Sequence, residues 1–460
     1  MTGWYSAQGA AEQLARAQAG LHTPVPERLM GLVGIAVMLG IAWALSVDRK
    51  RVNWRLVGMG VALQMVFGFI VLKTGAGRAL FEVTNIAFTR LLGFTQEGAR
   101  FIFGNLVQNN VPVGLPTGAS PEAAPLGAPT AWAATGSYFA FSVLPTIIFF
   151  SSLTSVLYYL GIMQWIVRGI AWVMLRTMGT SGAETLSAAG NIFVGQTEAP
   201  LMVKPFIGSM TYSELNTVMV GGFATIAGGV MAAYVGMLSP YFPDIAGHLL
   251  TASVMNAPAG LAISKLLVPE LGEPVTKGKL KLEVPRPEAN VIEAAAGGAA
   301  QGLQLALNVG AMLLAFIALI ALLNAGLGLV GGLVGRPDLS LQLVLGWVLA
   351  PLAWLMGVPW ADAGTVGSLI GVKTAVNEFV AYLQLTGILQ SGAPLSPRAA
   401  VMATYALLGF ANFSSIAIQI GGIGGLAPER RSEFARLGLR AMIGGNLAAL
   451  MSASLAGMLL

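Results

Sequence analysis

Long apolar segments separated by short polar connections repeat along the whole chain. A helix that crosses about 30 Å of hydrocarbon needs about 20 apolar residues, and eight segments reach that length. The pattern therefore predicts eight transmembrane helices, near residues 29 to 47, 54 to 72, 137 to 161, 215 to 238, 244 to 267, 306 to 334, 399 to 420 and 438 to 458.

Composition agrees with this pattern. Of the 460 residues, 55% are hydrophobic and only 10% are charged, whereas a soluble protein carries roughly 25% charged residues. The chain is therefore expected to be an all-α polytopic protein of the cell membrane, or of the inner membrane if its source is a Gram-negative bacterium. The lipid bilayer is therefore one of its expected partners.

Two further apolar segments carry charges at helical spacing. The segment 75 to 108 includes Arg78, Glu82 and Arg90, and the segment 163 to 178 places Trp165 and Trp172 seven residues apart on one helical face. Both patterns are typical of helices that lie in the membrane interface.

Basic residues near the span ends indicate the orientation. With the N-terminus outside, the "RKR" at 49 to 51, Lys265, and the arginines between 430 and 440 all fall inside. The Pro/Gly-rich run 109 to 130 is then an irregular outer loop, and the polar stretch 269 to 292 is an inner linker.

Several classes of chemistry are excluded or disfavoured. The chain has no cysteine and only His22 and His248, which are expected at the surface, so thiolate chemistry is impossible and histidine-based metal sites or triads are improbable. The net charge of +5 is explained by bilayer-flanking basic residues, so no nucleic-acid partner is expected.

Two segments, 181 to 207 and 363 to 388, are apolar enough to enter the membrane, but they are interrupted by glycine and contain charged residues. A charge at membrane depth costs at least roughly 2.5 to 3.5 kcal/mol, so these groups must face protein, water or a ligand. Their polar residues are Glu184, Asn191, Gln196, Thr197, Glu198 and Lys204 in the first, and Lys373, Asn377 and Glu378 in the second.

The same order of elements follows each interrupted segment. A glycine-rich polar span comes next, "GGFATIAGG" at 221 to 229 or "GFANFSSIAIQIGG" at 409 to 422, and then a plain span. With the predicted orientation the two segments enter from opposite sides as re-entrant hairpins, which makes an inverted repeat. Paired interrupted segments of this kind indicate a transporter's midplane site.

Other readings of the same residues stay open at this point. Glycines in membrane helices can simply pack, and a buried glutamate can bridge helices. Glu198 and Glu378 could also be the acid/base pair of an intramembrane enzyme, although no nucleophile or metal cluster accompanies them. A passive channel is the third possibility.

The motifs themselves resemble those of the concentrative nucleoside transporters. "ETLSAAGNIFVGQTEAPL" at 184 to 201, "GVKTAVNEFVAY" at 371 to 382 and "GFANFSSIAIQIGG" are similar to three signatures of that family. The resemblance implies sodium-coupled nucleoside symport, a homotrimer, and a transport domain that moves against a fixed scaffold. Proton coupling is the alternative, and no organic cofactor is implied.

The resemblance also implies site residues. It places nucleoside contacts on Gly195, Gln196, Thr197, Glu198, Val230, Glu378, Phe410, Asn412 and Ser415. It places a sodium ion on Asn191, Val194, Thr225 and Ile226. Lys204 and Lys373 are expected to pair with acids or to reach the surface, and Glu184 is expected to cap a helix or join a polar network outside the site.

These inferences divide the chain into four parts. Residues 1–178 are expected to be mostly scaffold, and 179–268 the first half of a transport domain. Residues 269–360 hold the linker, an interfacial helix and a scaffold span, and 361–460 the second half of the transport domain. Glu378→Gln is expected to abolish transport, whereas Lys265→Gln is expected to change little.

Overall fold

The structure, a computed structural model, describes residues 25–107, 110–113, 131–134, 139–278, 288–391 and 395–460. His22 lies outside these residues. The helices are α1 (Val25–Ala44), α2 (Trp54–Lys73), α3 (Gly75–Phe103), α4 (Phe139–Ser142), α5 (Leu144–Tyr159), α6 (Ile162–Met178), α7 (Gly182–Gly190), α8 (Lys204–Ile207), α9 (Tyr212–Ala224), α10 (Gly228–Leu238), α11 (Ile245–Leu267), α12 (Val291–Leu333), α13 (Leu341–Leu355), α14 (Trp360–Ala375), α15 (Glu378–Ser391), α16 (Pro397–Leu407), α17 (Phe413–Leu426) and α18 (Arg431–Leu459). Short 3-10 turns cover Arg49–Arg51, Gly104–Val107, Ala199–Val203 and Pro428–Arg430.

Besides the helices, the described residues contain a pair of antiparallel strands, β1 (Asn110–Val113) and β2 (Ala131–Ala134), and an isolated antiparallel bridge between Ser181 and Lys277. The first strand corrects the expectation of a wholly irregular loop over 109 to 130. Valines at 111 and 113 favour extended backbone, which the sequence reading overlooked among the prolines and glycines. The remainder of that loop lies outside the described residues, as do residues 279–287 of the predicted linker.

Six helical segments in the described residues are long and apolar enough to span a membrane, or seven if one bent pair is a span. The bent pair is α13 with α14, which meet at 118°. The predicted spans 244 to 267 and 399 to 420 are helical but do not qualify by length and composition. The first carries many polar residues and the second is broken, so the count of eight stays a prediction.

Two of the predicted spans are interrupted helices. The span 215 to 238 is α9 and α10, broken at residues 225–227, and the span 399 to 420 is α16 and α17, broken at residues 408–412. The breaks touch each other, because the Phe410 N–H donates to the Thr225 carbonyl at 3.3 Å. Only Thr225 in the first break, and Gly409 and Asn412 in the second, interrupt the apolar residues, so the average hydropathy stays high and did not reveal the breaks.

Two residues of α11, His248 and Lys265, are more buried than the sequence indicated. His248 is only 6% exposed, lies edge-on to Phe81 and has its Nδ1 3.2 Å from the Tyr405 hydroxyl. Lys265 is only 3% exposed, and its Nζ lies 2.7 Å from Glu184 Oε2 and 3.0 Å from Glu270 Oε2. Both residues sit near helix ends, where sequence suggests a surface, but neighbouring elements cover them.

Each interrupted segment folds back towards its own starting point. In the first hairpin, Ser181 before α7 donates to Glu214 Oε1 of α9 at 2.5 Å, after the chain has run out through α7 and back through α8. In the second, Ser396 after α15 donates to Asp362 Oδ2 at the start of α14 at 2.5 Å. We call these segments hairpin 1 and hairpin 2.

The bases of the two hairpins lie at opposite ends of α1. Hairpin 2 is held at the beginning of α1, where Arg398 Nη2 donates to the Glu27 carbonyl at 3.0 Å. Hairpin 1 is held at the end of α11 through Lys265, and that end adjoins the end of α1, since the Val47 N–H donates to the Leu267 carbonyl at 3.0 Å. A helix of 20 residues is about 30 Å long, so the hairpins approach from opposite directions.

Local signals in the sequence fix where several of these helices begin. Ser181 with Glu184 and Thr211 with Glu214 form capping boxes at α7 and α9. The Asn412 side chain caps α17. Glu184 therefore both caps a helix and joins the Lys265 network, as the sequence reading anticipated.

The first two helices pack on the later ones. In α1, Gly31 lies against the Ser454 backbone of α18, and in α2, Gly60 lies against Ala262 of α11. The helices α5 and α12 also pack extensively against each other, because Gly298 and Gly302 of α12 let the two backbones approach closely. The predicted interfacial segment 163 to 178 is α6, whose Trp165 and Trp172 are both exposed.

Candidate functional site

A cavity of about 130 Å³ lies where the tips of the two hairpins meet the breaks in α9/α10 and α16/α17. All nine residues that the sequence reading assigned to solute binding line it: Gly195, Gln196, Thr197, Glu198, Val230, Glu378, Phe410, Asn412 and Ser415. The structure therefore brings together residues that are up to 220 positions apart in the chain. Their role in binding is a separate matter and stays a prediction.

Glu378 is the first residue of α15, at the tip of hairpin 2, and is 5% exposed. Its Oε1 accepts from the Tyr234 hydroxyl at 3.0 Å and its Oε2 accepts from Asn412 Nδ2 at 2.9 Å. Tyr234 is held by stacking on Tyr382, with ring centroids 4.3 Å apart. The carboxylate is thus fixed from both sides at the edge of the cavity.

Asn412 links the carboxylate to α17. Its Oδ1 caps that helix by accepting from the Ser415 N–H at 2.9 Å, and it also accepts from the Ser414 hydroxyl at 2.7 Å. With the oxygen used this way, the Nδ2 group is free to donate to Glu378. A carboxylate, an amide and two hydroxyls therefore line one wall, a set suited to the hydroxyls of a sugar-like solute.

The tip of hairpin 1 forms the opposite wall. A Cβ atom on Gly195 would collide with Glu198 Oε2, so the glycine lets the Glu198 carboxylate fold back over the tip. Gln196 Nε2 lies 3.4 Å from Ser415 Oγ, and Thr197 packs against Gly422 of α17. An acid and an amide here can pair with donors and acceptors on a flat polar solute.

The sequence reading missed several parts of the site. The apolar wall comes from α12, through Leu305, Val309, Met312 and Leu313, because a long membrane helix gives no sign of which face meets a cavity. Nothing in the sequence around Tyr234 indicated that it would contact the site. Gln419 could have been noticed, since it lies within "GFANFSSIAIQIGG", but the motif does not reveal that its side chain hydrogen-bonds to Gln196 at 3.0 Å.

The four residues assigned to a cation lie beside the tip of hairpin 1. Asn191 is fully buried, next to Gly221, and neither its Oδ1 nor its Nδ2 has a hydrogen-bond partner in the described residues. Thr225 follows α9 at the break, with Ile226 after it, and the Gly228 N–H ties this break to the Phe193 carbonyl at 2.9 Å. The site is built from neutral oxygen-bearing groups.

The two lysines of the motifs behave differently. Lys373 is fully buried and its Nζ donates to the Ala406 and Leu408 carbonyls at 2.9 and 3.2 Å, so it caps the end of α16 instead of pairing with an acid or reaching the surface. Lys204 is exposed and lines a second cavity of about 410 Å³ on the other side of the hairpin 1 tip. Gly195 and Glu198 border both cavities.

Interrupted helices that meet around a cavity with polar groups on two of its walls, within a chain of membrane-type helices, define a secondary membrane transporter. The comparisons with known proteins agree. Residues 33–106 match the family described as Na+ dependent nucleoside transporter N-terminus, and residues 248–457 match its C-terminus counterpart. Residues 140–241 match a family described as nucleoside recognition.

Relatives align along nearly the whole chain. An uncharacterised transporter of Haemophilus influenzae is 46% identical over 433 residues, which cover 94% of this chain and 97% of that protein. Sodium/nucleoside cotransporter 1 of the mouse is 42% identical over 447 residues, which cover 94% of this chain but 64% of that longer protein.

A solved structure has the same fold. CNTnw in an inward-facing, substrate-bound state matches with a TM-score of 0.82 and 44% identity, over 94% of this chain and 97% of that one. Variants of CNTnw in outward-facing and intermediate states match equally well. The chain belongs to the Na+-dependent nucleoside transporter family, and it is a multi-pass membrane transporter, not an enzyme.

Proposed function

We propose that this chain is a symporter that imports nucleosides together with sodium ions. One observation carries the proposal: the cavity between the two hairpin tips is lined by all nine residues assigned to nucleoside binding. Acceptors and donors from Glu378, Asn412 and Ser415 suit ribose hydroxyls, and those from Gln196 and Glu198 suit a base edge.

The residues beside hairpin 1 fit a sodium ion. A buried amide with no partner is costly unless something satisfies it, and both polar atoms of Asn191 are in that position. In the described residues, no hydrogen bond ends on the Val194 or Ile226 carbonyls either. These oxygens, with the Thr225 hydroxyl, would hold the ion, which supplies positive charge next to the solute site.

We propose alternating access by an elevator-type movement in a homotrimer. The two hairpins would be re-entrant in the membrane and, with α9/α10 and α16/α17, would form the moving part, while α5 and α12 would form part of a fixed scaffold. Support comes from the opposed hairpins, from the family membership and from the inward- and outward-facing states of CNTnw. The N-terminus would lie outside. The trimer is tested by measuring the mass of the protein in detergent, which should correspond to three chains.

Uptake into proteoliposomes tests the coupling. Labelled uridine and adenosine are offered with an inward sodium gradient, with no gradient, and with a proton gradient in sodium-free buffer. Accumulation is expected only with sodium. Accumulation driven by protons alone would replace sodium by the proton as the coupling ion, and absence of accumulation for any nucleoside would reject the proposal.

Asn191→Leu tests the ion site separately. Leucine has the same branched shape as asparagine but no polar atoms, so it should stabilise the fold if the amide has no ion to bind. We expect instead that the variant folds but transports without dependence on sodium, or not at all. Normal sodium dependence together with a raised thermal midpoint would remove Asn191 from the site.

A further inference from the structure

Gln419 lies behind the hairpin 1 side of the cavity and is fully buried. Its Nε2 donates to the Met219 carbonyl of α9 at 3.2 Å and to Gln196 Oε1 at 3.0 Å. Gln419 does not itself line the cavity. Its side chain connects α17, α9 and the tip of hairpin 1 through one amide group.

The Met219 carbonyl fixes the direction of these hydrogen bonds. A backbone carbonyl only accepts, so Gln419 must turn its NH2 group towards Met219. The second hydrogen of that NH2 group then points to Gln196, which must offer an acceptor. The oxygen of Gln196 therefore faces Gln419, and a 180° turn of the Gln196 amide would set two NH2 groups against each other.

The surroundings are shaped for this arrangement. A Cβ atom on Gly222 would lie 2.8 Å from Gln419 Nε2 and 2.9 Å from Gln196 Cβ, so only a glycine leaves room for the paired amides. The Oε1 of Gln419 is buried without a partner in the described part of the chain. Turning the Gln419 amide over would place that oxygen against two acceptors, which opposes the exchange.

Because its oxygen faces Gln419, Gln196 presents its Nε2 group to the cavity. That nitrogen lies 3.4 Å from Ser415 Oγ, and Gln196 lines the cavity. We infer that Gln419 is a positioning residue that holds the Gln196 amide as a hydrogen-bond donor towards the solute. The inference rests on the proposed function, and it adds a base preference that the residue types alone do not give.

A donor at this position favours bases that present a carbonyl oxygen there over bases that present an amino group. Uridine and cytidine differ in this way at position 4 of the base, and inosine and adenosine at position 6. With position 4 or 6 of the base turned to Gln196, the first member of each pair would accept from Gln196 Nε2. The second member would set one donor against another.

Competition against labelled uridine uptake tests the inference, with all four nucleosides measured on wild type, Gln419→Met and a Gln64→Met control. Gln64 is also a fully buried glutamine, bonded to Ser452 at 2.8 Å away from the cavity. We expect wild type to prefer the carbonyl member of each pair by on the order of ten-fold. Gln419→Met should bring the two members close to equality, whereas Gln64→Met should keep the wild-type preference.

Gln419→Asn is the second variant, because its amide is one methylene too short to reach both Met219 and Gln196, and it should show the same loss of preference. A purely structural role of Gln419 would weaken uptake of all four nucleosides alike and leave their ratios unchanged. Unchanged ratios in a transporting Gln419 variant, or a wild type without preference, overturn the inference while the proposed function stands. A wild type that accumulates no nucleoside overturns both.

Discussion

Glu378 hydrogen-bonds to residues from both halves of the chain. Its carboxylate accepts one hydrogen bond from Tyr234 in the first half and one from Asn412 in the second. Both partners are donors in this arrangement, because Asn412 has already used its oxygen to cap α17. The position therefore requires a group that offers two acceptors.

We predict that Glu378→Gln lowers nucleoside uptake by roughly 10- to 100-fold or more, since hydrogen bonds to a charged group contribute about 1.5–3 kcal/mol. The amide would either set its NH2 group against that of Asn412 or leave the buried Tyr234 hydroxyl hydrogen without its acceptor. Glu97→Gln, an exposed position on α3, is the matched control. Uptake is measured in proteoliposomes with protein quantity checked by gel filtration, and equal uptake by the two variants would remove Glu378 from the site.

Lys265 is a second residue whose surroundings change its expected importance. From the sequence, Lys265→Gln was expected to change little, but the Lys265 Nζ is buried between Glu184 and Glu270 and also donates to Ser213 at 3.0 Å. Glu184 belongs to the base of hairpin 1 and Lys265 to α11. The ion pair therefore fastens the hairpin to a long helix.

Lys265→Gln is expected to destabilise the fold by about 3–5 kcal/mol, because it leaves Glu184 buried without its cation. The thermal midpoint of the detergent-solubilised protein measures this loss. Lys277→Gln, the same change at an exposed position, should leave the midpoint unaltered. Similar midpoints for both variants would mean that the ion pair adds nothing to stability.

Among the elements, the two broken helices depend on each other. At the break between α16 and α17, Gly409 has a φ of +113° and lies against the break between α9 and α10. A Cβ atom at this position would be 2.6 Å from the Phe223 carbonyl oxygen. The glycine thus permits both a left-handed backbone and a close crossing of two helices.

Gly409→Ala should therefore cost at least about 1–2 kcal/mol from the backbone conformation alone, with a steric clash in addition. Gly421→Ala is the comparison, since nothing lies within 4 Å of a Cβ atom there and alanine favours a helix. Thermal midpoints and uptake are measured for both. A Gly409→Ala protein as stable and as active as Gly421→Ala would mean that the crossing is not constrained.

The elements also show what the sequence could and could not reveal. Hairpin 1 and hairpin 2 were predictable because glycine, proline and charge interrupt otherwise apolar runs, and the short motifs at their tips identified residues that do meet in the cavity. The breaks at Thr225 and Gly409 were missed because the few polar residues and glycines there are surrounded by apolar residues and leave the average hydropathy of each span high. The Gln419 contact was also missed, since its partners lie about 200 positions away and only packing brings them together.

For the whole molecule, the arrangement of the cavity bears on how transport is driven. A nucleoside is neutral, so the net charge moved in a cycle is that of the coupling ion. The proposed cation residues are neutral groups next to the solute cavity, and the ion's charge would therefore cross the membrane without compensation. Transport with one sodium ion should then respond to the membrane potential as well as to the sodium gradient.

One charge that moves through about 100 mV gains roughly 2.3 kcal/mol, which supports about 50-fold accumulation of uridine. A tenfold sodium gradient adds roughly 1.4 kcal/mol, and the two together support about 500-fold. We predict that proteoliposomes with equal sodium on both sides accumulate uridine only when a potassium diffusion potential, negative inside, is imposed with valinomycin. The same potential without sodium should give no accumulation if sodium carries the charge, whereas a passive channel would equalise uridine under every condition because nothing in it couples the solute to the field.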